Sequence, residues 1–227
     1  MKHIFKALLA CSIILAISCS NNDEGSGDEL SFNPEDYHYF ISGKINGESF
    51  LYGQRKDATT VDYNIIHSGG TTTECAYYPE TGGVNYYSGV YPNFEEETLP
   101  SMNFGFVRFY LCSEMDATSQ SAVFNERFAL GNYEIATKDD ISGTTGGIYF
   151  EYSSNSLEGP YYNSNGDQSS SYCEITSSTN ANQYLLEVLV NSQQIIEGNF
   201  SVKLYNEEDS SDVIEITDGS FKLRPRI

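Results

Sequence analysis

This sequence predicts an all-β domain, and three observations predict it. Its 13 Phe and 18 Tyr are accompanied by 19 Gly, a composition that suits pleated strands joined by tight turns. The apolar residues fall mostly in short alternating runs bounded by Gly, Asn, Asp and Ser, which is the punctuation of strands. Nothing in the chain supplies the helical crossovers that parallel strands need. A single antiparallel β-sandwich over residues 37–227 is therefore expected, with an open lipocalin-like β-barrel as the alternative. A domain of that length buries roughly 70 % of its unfolded surface around one core.

Ahead of the domain, residues 1–6 carry Lys2 and Lys6, and residues 7–18 are almost wholly apolar or small. The apolar run stops well short of the roughly 20 residues that a bilayer-spanning helix requires, so residues 1–18 are expected to be a cleaved signal peptide. Leu15-Ala16-Ile17-Ser18-Cys19 resembles a lipobox, with Ala16 where Leu is usual. That resemblance implies that Cys19 becomes the acylated first residue of a lipid-anchored protein. Residues 19–36 hold Asp23, Glu24, Asp28, Glu29, Glu35 and Asp36 around Gly25-Ser26-Gly27 with no basic residue, and they read as a flexible tether. An acidic tract directly after the cysteine also resembles the surface-export signal of Bacteroidetes lipoproteins, which implies an outer-membrane address on the cell surface, with the periplasmic face as the alternative.

Within the domain, Asn46-Gly47 separates two strand-like runs and suits a two-residue hairpin turn. Further strands are expected around residues 61–67, 72–78, 103–112, 133–136, 148–153, 172–176 and 213–217. Phe200, Val202 and Leu204 alternate with polar neighbours, and Leu186, Val188 and Val190 share one parity, so both runs read as half-buried strands. The one helical turn expected is at residues 121–128, where Val123, Phe124 and Phe128 make an apolar stripe before Gly131.

The opening Ile45-Asn46-Gly47-Glu48-Ser49-Phe50 resembles small uncharacterised lipoproteins of Bacteroidetes. So does the closing pair Glu197-Gly198-Asn199-Phe200-Ser201-Val202 and Ile214-Glu215-Ile216-Thr217-Asp218-Gly219-Ser220-Phe221. The resemblance implies that Asp218-Gly219 is a tight turn and that Phe200 and Phe221 plug the core from neighbouring strands. It brings no catalytic or ligand residues with it.

Charge narrows the function. Removal of residues 1–18 takes away Lys2 and Lys6 and no acid, which shifts the formal net charge from −20 to −22. Such a surface repels phosphate backbones and anionic headgroups, so neither nucleic acid nor electrostatic membrane docking is expected.

Chemistry-bearing constellations are sparse. His38 and His67 are the only histidines beyond the signal, no CxxC or HxxxH spacing occurs, and no Ser sits in a GxSxG elbow. No enzymatic activity and no cofactor are expected. Asn163, Asn165, Asp167 and Glu174 have the spacing of oxygen ligands in a calcium loop, but Gln168 replaces the Gly of its sharp turn, and a plain hairpin loop is the preferred reading. Cys75 and Cys173 are the candidate disulfide, set against three unpaired thiols that include Cys112.

Tyr77, Tyr78, Tyr86, Tyr87, Tyr91, Tyr161 and Tyr162 lie in or near Gly and Pro loops, where broad amphipathic rings suit recognition. The expected function is a membrane-anchored binding or adhesion module for protein or glycan. The alternatives are a structural or assembly component of an envelope complex and, less favoured, a carboxylate-based hydrolase.

Overall fold

The computed structural model describes residues 32–58, 63–72, 82–92, 99–110, 120–137, 147–155 and 159–226. The expected signal peptide, Cys19 and nearly all of the tether lie outside them, and so does all but Thr72 of the strand expected at residues 72–78. Pro34–Ile227 forms one unit. A 3₁₀ turn at Pro34–Asp36 leads into β1 (Tyr37–Ile45), β2 (Glu48–Arg55), β3 (Tyr63–Thr72), β4 (Gly82–Pro92) and β5 (Ser101–Tyr110). Helix α1 (Gln120–Arg127) follows, then β6 (Gly131–Tyr133), β7 (Gly147–Ser153), β8 (Tyr161–Asn163), β9 (Tyr172–Asn180), β10 (Gln183–Leu185), β11 (Val188–Asn191), β12 (Gln194–Asn206) and β13 (Val213–Leu223).

The main sheet runs β2-β1-β13-β12-β8-β7-β5-β4-β3, with β9 added on β12 and β6 on β9; β10 and β11 form a separate two-stranded sheet. Pairing between neighbouring strands is antiparallel throughout. The two ends of the path come together, because the rings of Tyr52 on β2 and Tyr63 on β3 stack at 5.4 Å between centroids. No ladder joins β2 to β3 among the described residues. The all-β antiparallel expectation holds, but one strongly curled open sheet, closer to a barrel than to a flat sandwich, replaces the expected pair of facing sheets.

Two features of the sequence coil this sheet. The first is in β13, where Ser42 and Lys44 of β1 face Ser220 and Thr217, and Phe200 and Val202 of β12 face Gly219 and Ile216. One extra residue is thus accommodated on β13 against both neighbours. Asp218 takes the positive φ of 52° that this bulge needs, and a bulge bends and twists its strand. Asp218-Gly219 is therefore a bulge inside β13, not the tight turn expected. The bulge also switches parity, since Ile214 and Ile216 point inward before it and Gly219, Phe221 and Leu223 after it.

The second feature is the length of β12. Gln194 to Ser201 pair with β9, while Tyr205 and Asn206 pair with β8, so two arms of the sheet diverge from one strand. The gap between them is stitched by Ser164, which donates from Oγ to Ala136 O at 2.6 Å and accepts from Phe150 N at 3.1 Å. A parallel bridge between Ile135 and Ile148 completes the seam.

Inside the curl lie phenylalanines. Phe104, Phe106, Phe124, Phe128, Phe150, Phe200 and Phe221 are all at or below 1 % exposure. Phe104 is the hub, 4.5 Å from Phe150, 5.2 Å from Phe200 and 5.1 Å from Phe221 by ring centroid. The chain of rings continues through Phe106 to Phe128 and Phe124, so the expected helical turn is present as α1 and packs Phe124 and Phe128 onto the core. Each ring buried is worth about 1.5–3 kcal/mol.

The closing motif explains how those rings fit. Gly198 pairs across β12–β13 with Phe221, and Phe200 pairs with Gly219. Each glycine lies beneath the other strand's ring: a Cβ on Gly198 would stand 2.6 Å from Phe221 Cζ and 2.0 Å from Glu174 O, and one on Gly219 would stand 2.6 Å from Phe200 Cδ1. The expectation that Phe200 and Phe221 plug the core from adjacent strands holds, and the glycines make room for them.

At the other end of β1, Asn46 (φ 50°) and Gly47 (φ 90°) form the expected hairpin turn. The turn is docked, because Asn46 N donates to Glu215 O and Glu215 N donates to Asn46 Oδ1, both at 2.9 Å.

Overpacking of this kind costs about 1–3 kcal/mol. Gly198→Ala and Gly219→Ala are each expected to lower the unfolding free energy by at least that much, read from urea midpoints at unchanged slope. A midpoint equal to that of the unsubstituted protein would show that the rings have room to shift.

Candidate functional site

The sequence-expected sites disperse in the structure. Tyr86, Tyr87 and Tyr91 lie within β4, opposite Gly69, Ser68 and Asn64 of β3, so they are strand residues, not loop residues. Tyr161 is 52 % exposed, but its neighbour Tyr162 is buried and donates its hydroxyl to Asp212 Oδ2 at 2.8 Å. Burial and that carboxylate push the Tyr162 phenol above its ordinary range. Tyr77 and Tyr78 lie outside the described residues.

The expected calcium positions do local work. Asn163 Oδ1 accepts from Asn165 N at 3.1 Å, and Asp167 Oδ1 accepts from Ser169 N at 3.0 Å, which holds the Asp167 carboxyl below the usual range. Gln168, which stands in place of the turn Gly, ties the loop to β12 by donating to Lys203 O at 2.8 Å. Glu174 sits on β9 opposite Asn132 and Asn199, away from the loop.

Cys173 is a buried free thiol facing Phe200 and Tyr133 across the sheet. Burial pushes it far above the ordinary thiol range, against a weaker opposing pull from Arg127. Cys75 and Cys112 lie outside the described residues. Among the described residues, no group of three or more His, Cys, Asp and Glu side chains is placed to hold a metal ion.

Among the described residues, the feature that departs most from an ordinary surface is the hairpin of β10 and β11. Leu186, Val188 and Val190 are expected to be half-buried, yet they are 91 %, 65 % and 50 % exposed. Tyr184, Leu185 and Leu189 are exposed with them. Pairing sets Leu185 opposite Val188 and Tyr184 opposite Leu189, while Val190 is the extra residue before Gln183 meets Asn191. Cross-strand partners share a face, so Leu185 and Val188 line one side, Tyr184 and Leu189 the other, and Leu186 caps the tip. The hairpin is apolar on both faces.

Its base, by contrast, is polar and fixed. The hairpin grows out of the β9–β12 pair, where Ala181 N donates to Gln193 O at 2.8 Å and Asn182 Oδ1 accepts from Gln193 N at 2.9 Å. Ser192, Gln193 and Gln194 are buried. Gln194 Nε2 donates to Asn125 Oδ1 of α1 at 2.7 Å, and Gln194 N donates to Pro225 O at 3.2 Å. An apolar finger is thus mounted on a hydrogen-bonded platform that belongs to the core.

The tip is strained. Leu186 and Glu187 have φ of 48° and 68°, the pair of positive values that a two-residue hairpin turn demands and that Asn-Gly meets without strain. For a residue with an ordinary side chain this conformation costs about 1–2 kcal/mol.

The sequence held a partial signal: that neither face of this hairpin is an ordinary solvent face. Leu185-Leu186-Glu187-Val188-Leu189-Val190 is apolar at both parities, whereas a strand with one face in water alternates.

No protein-family model, no curated protein and no solved structure matches the chain.

Two measurements check this geometry. Leu186→Asn combined with Glu187→Gly is expected to slow amide exchange across residues 183–191 about tenfold, the equivalent of roughly 1.4 kcal/mol; unchanged exchange would mean the tip is not strained. Mass-spectrometric mapping is expected to find Cys173 unalkylated in the native protein and alkylated after denaturation without reductant. A requirement for reductant would instead mean that Cys173 is held in a disulfide.

Proposed function

We propose that this protein is an extracytoplasmic lipoprotein, held at a membrane through acylated Cys19, whose β-domain is a structural or assembly component of an envelope complex. The observation that carries the reading is the rigidly mounted, apolar, strained hairpin of β10 and β11. Six large apolar side chains left in water on one short protrusion, Tyr184, Leu185, Leu186, Val188, Leu189 and Val190, are the mark of a surface that is covered in its working state.

The loop-tyrosine reading has less support, because Tyr86, Tyr87 and Tyr91 belong to a strand and Tyr162 is buried. The membrane address rests on residues 1–19 of the sequence, and the tether that follows would let the domain reach a neighbour.

Crosslinking in intact cells is expected to recover a stoichiometric envelope partner. Alanine at Tyr77, Tyr86, Tyr87 and Tyr161 together should leave that adduct unchanged. Binding of an exogenous glycan or protein, with no envelope neighbour, would replace assembly by recognition. Cys19→Ser is expected to abolish palmitate labelling and to release the protein without detergent; retention of both would end the lipoprotein part of the reading.

A further inference from the structure

We infer that the hairpin of β10 and β11 is received by a protein groove that is apolar on both walls, carries a basic side chain at its closed end, and adds a strand to the hairpin's free edge. This rests on the assembly reading above and names the chemistry of the partner.

Three occupants compete for an exposed apolar finger: a lipid surface, a second copy of this chain, and a different protein. Backbone groups decide against lipid. Among the described residues β10 and β11 make a sheet of two strands, so each presents an outer edge of N–H and C=O groups that no described strand pairs. Hydrocarbon offers such groups no partner, at several kcal/mol apiece, and open sheet edges do not occur in it. A protein strand laid along the edge satisfies them, as in strand addition generally.

Size and charge decide against a second copy. A stable interface buries about 800 Å² on each partner, from roughly 20 to 30 residues, and the hairpin extends only from Gln183 to Asn191. Pairing of two hairpins edge to edge would cover one edge of each and leave both apolar faces in water. Two copies, each at −22 once residues 1–18 are removed, also repel. The finger buries enough only if it is enclosed from both sides, and enclosure requires a concave partner.

Glu187 specifies the end of that groove. It is the only charged residue between Glu174 and Glu197, in a chain otherwise crowded with acids, and it stands at the tip beside Leu186, where insertion carries it deepest. A carboxylate buried without a partner is strongly unfavourable. A Lys or Arg at the bottom of the groove meets it and also fixes how far the finger enters. The polar residues at the base, Asn180, Asn182 and Asn191, fall at the rim, where an interface stays wet.

The test uses the full chain in intact cells, with the photoreactive residue p-benzoylphenylalanine as the probe. It is placed singly at Tyr184 and at Leu185, which lie on opposite faces, and at the exposed Tyr161 as a position away from the hairpin. The expected result is an adduct to one and the same protein from both faces, reduced tenfold or more by Glu187→Lys and kept by Glu187→Asp. All these residues are exposed, so a melting temperature no lower than that of the unsubstituted protein excludes loss of the fold as a cause.

Adducts to lipid, adducts to a second copy, an adduct from one face alone, or insensitivity to Glu187→Lys would each overturn the inference. If an envelope protein is still captured from Tyr161 in those cases, the assembly reading survives without it. If no position captures an envelope protein, both fail.

Discussion

The packing of two phenylalanines over two glycines, Phe221 on Gly198 and Phe200 on Gly219, is the constraint on which the rest of this domain depends. A sheet that curls tightly brings its inner side chains together, and a row of large rings on adjacent strands would collide. Exchanging ring and glycine between β12 and β13 puts both rings on the inner face with backbone, not side chain, beneath each. Phe104 then reaches both, and through Phe106 it connects them to helix α1. The bulge at Asp218 belongs to the same solution, because without its parity switch Ile216 and Phe221 could not both point inward.

That core fixes the hairpin in space. β12 is continuous from the Gly198–Phe200 packing to Gln194, and Gln194 is tied to α1 and to the C-terminal segment. The finger is therefore positioned by the most deeply buried part of the protein, with few soft joints between. Rigid presentation matters energetically, since an element already ordered loses little further entropy on binding. It also separates two roles along one strand pair: alternation with a buried face governs β12, and exposure on both faces governs β10 and β11.

The sequence disclosed the parts of this structure that rest on local chemistry. Asn46-Gly47 announces its turn, Phe200, Val202 and Leu204 announce their face, and Phe124 and Phe128 announce the helix, because each pattern reports a short-range requirement of the backbone or of burial. It did not disclose β4, whose Gly83-Val84-Asn85-Tyr86-Tyr87-Ser88-Gly89 lacks clean alternation and whose place depends on pairing with both β3 and β5. Nor did it separate a curled sheet from a sandwich, since both demand the same alternating strands and the difference lies in a bulge and in the branching of β12. The candidate site was misread for a related reason. Periodicity reports which residues share a face, and it does not report whether anything in the same chain covers that face.

Two hairpin turns among the described residues, Asn46-Gly47 and Leu186-Glu187, put the point most sharply. Both have two central residues at positive φ. One uses Asn-Gly, the pair that suits this geometry, and docks against β13 through its own amide and side chain. The other uses Leu-Glu, which suits it poorly, and projects Leu186 almost wholly into water. A chain able to place Asn-Gly at one hairpin could place it at the other, with a gain in stability and in solubility. A strained, exposed leucine beside the only acid in that segment is understandable if those side chains are needed by something outside the fold, and the isolated domain is correspondingly less stable than its own sequence vocabulary would permit.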